Sequence, residues 1–361
     1  MSGSIGAAGG NAALTVLIAD SAATKRRFDT LTAQAGSGLI SNTFSGLGAS
    51  APVALRLRPR VESLKAARGN IDAAAGPARV TQAAMTQIQS IASNLLARLP
   101  AMNGINPAGI DAIAASARAD LSRVGELLNS QFGGAYVFAG QDSGNPPVPN
   151  PDRILSTGFF TQIETAVAGL AANGAAATTA ATLAAAASNA PGTSPFSDFM
   201  SRGPGTATPP SVSLGDGGTR PVGLLASENT NAISSGSSTT GSYMRDLMRA
   251  LATVGSLTSA QAGDPNFATL ISDTQVSVGG AISAMATDVG ILGERQAALT
   301  ATQTTLEDTE LALTAQLSPA ENVDMASTLS ELTQTQTRLQ ASYQLISSAN
   351  AMSLVKFLPG G

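Results

Sequence analysis

Residues 285–313 read "MATDVGILGERQAALTATQTTLEDTELAL", and in them Met285, Leu292, Leu299, Leu306 and Leu313 recur every seven positions. A seven-residue apolar repeat is the spacing of a helix that shows one stripe to a partner helix. The positions four further on are Val289, Gln296, Gln303, Glu310 and Leu317, a mixed second column. The spacing predicts a helix over about residues 268–317 with one apolar edge that needs covering.

A partner edge lies near the other end of the chain. Leu57, Leu64, Ile71, Ala78, Met85, Ala92 and Leu99 also repeat every seven residues. Gly76-Pro77 predicts a kink or break in that helix, because proline removes an interior hydrogen bond. The short link "NGINP" predicts that the next segment, with Ile110, Ala114, Ala117, Leu121, Val124 and Leu128 on one stripe, folds back antiparallel. Upstream, residues 14–35 read as another helix with Leu14, Leu17, Phe28 and Leu31 on its apolar side. Charge favours pairing of the two ends. Residues 1–80 hold nine bases and four acids, whereas residues 264–361 hold ten acids and three bases. Opposite charges beside apolar seams select helix partners.

"LSPAENVD" interrupts the C-terminal pattern, since Pro319 cannot donate an interior helix bond. A second register follows: Met325, Leu332, Leu339 and Ile346, with Leu329, Gln336, Tyr343, Asn350 and Phe357 as the companion column. The last residues add Met352, Leu354, Val355, Phe357 and Leu358, with Lys356 the one charge between Leu339 and Leu358. A terminus this apolar predicts packing against the N-terminal helix and against copies of the chain.

The middle differs. Residues 141–242 contain "SGNPPVPNP", "GPGTATPP" and "SSGSSTTGS", clusters that mark loops. "AANGAAATTAATLAAAAS" reads as a weak helix or a flexible arm, and "SVSLGDGGTRPVGLLAS" as a hairpin turning near Asp216-Gly217. "SYMRDLMRALATVGSL" restarts helix, with Met244, Leu247, Leu251 and Val254 on one face.

Composition narrows the chemistry. The 361 residues include no cysteine and no histidine, which excludes a thiolate nucleophile, a Cys/His zinc site and a Ser-His-Asp triad. Apolar residues make up 43% but aromatics only 4%, so most apolar side chains are small. Small side chains bury little area each, and long, closely packed helices use them better than a compact globule does. No positive stretch precedes the apolar "ALTVLIA" near the start, so a standard secretory signal is not expected. No apolar run reaches the roughly 18 residues of a membrane span.

Three motifs suggest sites and fail on context. "GLGASA" (46–51) fits a dinucleotide-binding turn, but no buried strand precedes it and Pro52 follows at once. "EDTE" (307–310) pairs carboxylates, yet they flank Leu306 and Leu313 as a solvated or partner-facing helix edge would. "RLRPR" (56–60) is basic but lacks interleaved aromatics.

Both ends resemble the flagellin superfamily. At the N-terminus the likeness lies in "FDTLTAQAGSGLISNTFSGLGAS", a polar helix ending at a serine-glycine-leucine turn, running into the repeat from Leu57. At the C-terminus it lies in "ENVDMASTLSELTQTQTRLQASYQLISSANAMSLVKFL": Asp324 and Ala326, the Leu329/Leu332 pair, "LQAS", Asn350 and "SLVKFL". "GGAYVFAGQDS" (133–143) resembles the Y-x-F-x-G segment of the hook–filament junction branch more than that of the filament subunit. The start, "MSGSIGAAGGNAALTVLIAD", departs from the family in lacking its early asparagine-containing opening.

The resemblance implies a structural, non-enzymatic subunit of the bacterial flagellum. It implies type III export without a cleaved signal and assembly into an extracellular helical polymer, most simply as the joint between hook and filament and alternatively as the filament itself. A secreted enzyme in residues 141–242 and a coiled-coil adhesin are the rival classes. The expected fold is mainly α: long antiparallel, coiled-coil-like helices from both chain ends form a rod carrying a small α/β or β-rich insertion. Expected divisions are 1–44, a terminal helix and turn; 45–140, rod; 141–242, surface insertion with short strands; 243–320, rod; and 321–361, a terminal helix. The expected seam and assembly residues are Leu57, Leu64, Ile71, Met85, Leu99, Met285, Leu292, Leu299, Leu306, Leu313, Leu332, Leu339, Ile346, Leu354, Phe357 and Leu358. Expected partners are copies of the chain, axial proteins on the hook and filament sides and an export chaperone. No nucleic acid, membrane insertion, cofactor, metal or catalytic residue is expected.

Overall fold

A computed structural model describes residues 5–355 apart from 105, 204, 214–217 and 233–237, and for 5–13 and 349–355 the backbone alone. The chain is mainly α. Helices α1 (Ile5–Ser37), α2 (Ala51–Met102) and α3 (Pro107–Leu128) precede α4 (Gly158–Ala168), α5 (Leu170–Ala187) and α6 (Tyr243–Gly255). Helices α7 (Phe267–Glu321) and α8 (Met325–Val355) close the described chain. Strands β1 (Gln131–Phe132) and β2 (Ala135–Tyr136) form one antiparallel pair, and β3 (Ser211–Ser213) and β4 (Thr219–Pro221) another. Two compact units divide the chain: a terminal unit of residues 1–65 and 307–361, and a central unit of residues 66–306.

In the terminal unit, α8 packs along α1. The covered side of α1 runs Leu14, Leu17, Ser21, Thr24, Phe28 and Leu31, alternating three and four residues apart. The covered side of α8 runs Thr328, Leu332, Thr335, Leu339, Ser342 and Ile346 in the same rhythm. Alternating three-four spacing keeps one stripe facing the partner. The chain leaves α1 and α7 at matched positions. Ile40 N donates to Glu321 O (2.7 Å) and Val323 N to Gly38 O (3.0 Å), a short antiparallel bridge at Leu39 and Asn322. Gly38 has φ +72°, a conformation that glycine supplies without strain. Leu47, Ala54 and Leu317 form a small core beside the bridge, with Leu57 packed on it.

In the central unit, α2 and α7 lie antiparallel. Gln296 Nε2 donates to Ala78 O (3.0 Å) and Gln303 Nε2 to Asp72 Oδ1 (2.6 Å). Helix α3 folds back on α2, as Arg98 to Ser116 (2.7 Å) and Arg123 to Gln87 (3.4 Å) show. Asn106 caps α3 by accepting from Ala108 N, with Pro107 at the first helical position. One large core joins α2, α3 and α7 to α4, α5 and α6.

Three expectations change. Gly76-Pro77 does not break α2, which runs through it. Buried Ile71, Ala78 and Met85 hold both sides of the proline, and the Phe132 ring occupies the space a Cβ at Gly76 would fill, 2.2 Å from it. In the middle region, expected as loops and strands with a weak helix or flexible arm at 171–188, that segment is helix α5 and a second helix, α4, precedes it, besides the β3–β4 pair. The β1–β2 hairpin was not foreseen. It turns on Gly133 and Gly134, both at positive φ, the signature of a tight primed turn.

Candidate assembly surface and buried polar core

The sequence-predicted seam residues fall into two groups. In the central unit Ile71, Met85, Leu99, Met285, Leu292 and Leu299 are buried, and Leu306 is half-buried against Ile71 and Leu299. Val212 and Val222 of the β3–β4 segment cover that last cluster. In the terminal unit Leu64 is buried, while Leu57, Leu313, Leu332, Leu339 and Ile346 are half-buried. The side chain of Leu354, and Phe357 and Leu358 entirely, lie outside the described residues.

The companion column expected in α8 is a correction. Leu329, Gln336 and Tyr343 were expected in the seam but are exposed. Thr328, Thr335 and Ser342, three rather than four positions after Met325, Leu332 and Leu339, face α1 instead. Small side chains allow the backbones to approach closely, so the larger apolar residues are left outside. Leu329 is 49% exposed, Tyr343 51% and Leu345 59%. Val16 and Ile18 of α1, Phe44, Leu55, Leu311 and Met325 are exposed too. Among the described residues, nine of the eleven large exposed apolar side chains belong to the terminal unit. Exposed large apolar side chains concentrated in one part of a chain make that part the candidate interaction surface.

Ion pairs decorate this surface. Arg27 pairs with Glu331 at 2.5 Å between α1 and α8, and Lys25 with Asp29 at 2.8 Å within α1. Asp29 holds the Lys25 ammonium above its ordinary pKa through its hydrogen bond and its charge. Arg58 lies 3.0 Å from Glu321 and stacks over Phe44 at 5.3 Å. The charge bias between the two chain ends thus reaches the terminal unit as cross-helix pairs. In the central unit the α2–α7 bonds given above come from glutamine amides instead.

The charged side chains that sequence reasoning missed lie on α6. All thirteen residues of this helix are buried, including Arg245, Asp246 and Arg249. Arg245 donates to the carbonyls of Ser227 (3.2 Å) and Ala186 (3.0 Å) and to Asn189 Oδ1 (2.8 Å), and lies over the Phe196 ring. Arg249 donates to Ser238 O and Ser277 Oγ, each at 2.6 Å. Burial lowers the pKa of both guanidinium groups. Asp246 accepts from Thr240 N (2.8 Å) and from the Thr239 hydroxyl. Asp288 of α7, fully buried, accepts from three successive backbone amides, Thr230 (3.1 Å), Asn231 (2.9 Å) and Ala232 (2.9 Å), and from the Tyr243 hydroxyl (2.9 Å).

Burial, then the neighbouring Asp288 charge, pushes the Tyr243 phenol well above its ordinary value. A raised pKa favours the protonated phenol in the fold. That contribution is complete below the ordinary phenol range, about pH 10, and is lost as pH rises beyond it. These groups are spent on backbone and side-chain partners at residues 186–189, 227, 230–232, 238–240, 243 and 277. They hold irregular chain in place. Among the described residues no cluster of three acidic or other ligating side chains could hold a metal.

Residues 11–143 match the bacterial flagellin N-terminal helical region, and residues 276–358 match the bacterial flagellin C-terminal helical region. Together the matches span more than half of the chain. The chain belongs to the flagellin superfamily. Flagellins are structural proteins that polymerise into the extracellular axis of the flagellum, and the chain is accordingly a flagellar structural subunit that self-associates. The flagellin matches cover α8 and α1 from residue 11 on, which carry six of the eleven large exposed apolar side chains among the described residues, and leave α4 to α6 between them. No curated protein matches the chain in sequence.

Proposed function

We propose that this flagellin-superfamily subunit joins hook to filament. The reading rests first on the concentration of exposed apolar side chains in the terminal unit, the part of the chain a helical polymer would bury between copies. The choice of junction over filament rests on Tyr136-x-Phe138-x-Gly140. Phe138 is fully buried and its carbonyl accepts from Ala226 N at 3.1 Å. Gly140 has φ +60°, and a Cβ there would lie 2.8 Å from Thr208 O. The segment straps the helices to the chain between the two flagellin matches.

In this reading residues 1–44 and 321–361 contact neighbouring subunits, and 45–140 and 243–320 form the rod. Residues 141–242 form the outward insertion. The half-buried Leu332, Leu339 and Ile346, together with Leu354, Phe357 and Leu358, complete the contact in the assembled structure. Partners are copies of the chain, axial proteins on the hook and filament sides and an export chaperone. Export proceeds without a cleaved signal, and the subunit has no enzymatic role.

Deleting the gene tests the assignment by electron microscopy and analysis of the medium. The expected result is hooks without filaments and flagellin shed into the medium. Loss of filaments together with the major secreted subunit would make the chain the filament protein instead. Normal filaments would overturn the junction role.

A further inference from the structure

We propose that the central unit carries a saccharide-binding groove, formed by residues 142–157 on one wall and 192–202 on the other. The groove measures about 680 Å³, within the roughly 300–1,000 Å³ usual for small-ligand clefts. Its walls are prefixed. Asn129 grips the first from behind, donating to Val148 O (2.7 Å) and accepting from Val148 N (3.0 Å). Ser197 N donates to Pro147 O (2.8 Å) and ties the second wall to the first. Buried Arg245 stacks beneath Phe196, 5.1 Å from the ring centre, so the charged core described above supports the floor.

The mouth carries polar groups that the fold does not use. The Asp198 carboxylate and the Asn150 amide make no hydrogen bond with the described residues, and both are exposed. Arg202 lies over the Phe199 ring at 5.1 Å with its donors free of protein acceptors among the described residues. Asp142 receives one bond from Asn145, on Oδ1 (2.7 Å).

This combination selects a ligand class. Two carboxylates against one guanidinium disfavour phosphates and other anions. Pro146, Pro149 and Pro195 line the groove and offer no N–H, which removes the main-chain ladder that an extended peptide needs. A sugar meets what remains. Its hydroxyls both donate and accept, matching carboxylate, amide and guanidinium, and its C–H face suits Phe199 and the prolines.

The test applies fluorescently labelled full-length chain to an array of neutral glycans, with acidic glycans as the disfavoured control. Glycans that bind are then titrated as free trisaccharides. Saturable binding is expected. It should weaken about tenfold in Asp198→Ala and in Arg202→Ala, the loss of one charge-assisted hydrogen bond. Glu164→Gln, on the exposed side of α4 and outside the groove, should bind like the parent chain. Circular dichroism checks that each variant folds. Binding to no glycan, or binding that neither groove variant weakens, overturns the proposal. So does preferential capture of a control phosphopeptide. A flagellated deletion strain would overturn the junction role and leave this result standing.

Discussion

Helices α6 and α8 show two opposite ways of using a helix. Every residue of α6 is buried, and its charged side chains are consumed by loops of the same chain. Helix α8 buries one narrow stripe of threonine, serine and leucine and leaves Leu329, Tyr343 and Leu345 in solvent. The first helix is finished by its own chain. The second is finished on one side only. In the assembly proposed above, the outer side of α8 would gain burial from neighbouring copies, whereas α6 has no side left to cover.

Substitutions can break this contrast, and the largest effect should come from Asp288. Asp288→Ala strands three backbone amides and the Tyr243 hydroxyl inside the central unit. An unsatisfied buried donor costs about 1–3 kcal/mol, so the four together should cost at least about 4 kcal/mol. Urea unfolding should show it as a lower midpoint. A change under about 1 kcal/mol would mean that residues 230–232 hold their place without the carboxylate.

Leu299→Ala comes next. Leu299 packs against Ile71, Val212 and Val222, and its truncation should cost about 2–4 kcal/mol. Leu306→Ala, at a half-buried position of the same repeat, should cost about half as much. Equal losses would show that burial along α7 does not fall off between these two positions.

The smallest effect on the subunit alone sharpens the comparison most. Leu329→Ser and Leu345→Ser remove exposed side chains, and monomer stability should move by no more than about 0.5 kcal/mol. Incorporation into flagella of a complemented deletion strain should nevertheless fail. Assembly at the parental level would show that this surface meets no neighbour.

The sequence made the long helices legible because leucine and methionine mark their repeats. Met285, Leu292 and Leu299 stand every seven residues and are all buried. Half of the inner stripe of α8, Leu332, Leu339 and Ile346, is legible from its seven-residue spacing; the other half is not, since Thr328, Thr335 and Ser342 occupy it while Leu329, Gln336 and Tyr343 face out. Helix α5 was ambiguous because "AANGAAATTAATLAAAAS" contains a single large apolar residue and so has no period to read. The charged core of α6 was hidden for another reason. Arg245 finds its acceptors at residues 186–189 and 227, and Asp288 its donors at 230–232 and 243, separations that no local pattern encodes. The Gly133-Gly134 pair is by contrast a turn signal in the sequence itself.

The bridge between Gly38–Ile40 and Glu321–Val323 has a mechanical consequence. Helix α1 ends and α8 begins at the same level, where two backbone hydrogen bonds join the crossing segments. A tear that starts there need not split any helix. Opening of the α1–α8 pair can stop at this bridge and leave the hydrogen bonds of every helix intact, so the bridge marks a boundary at which local opening need not become global unfolding.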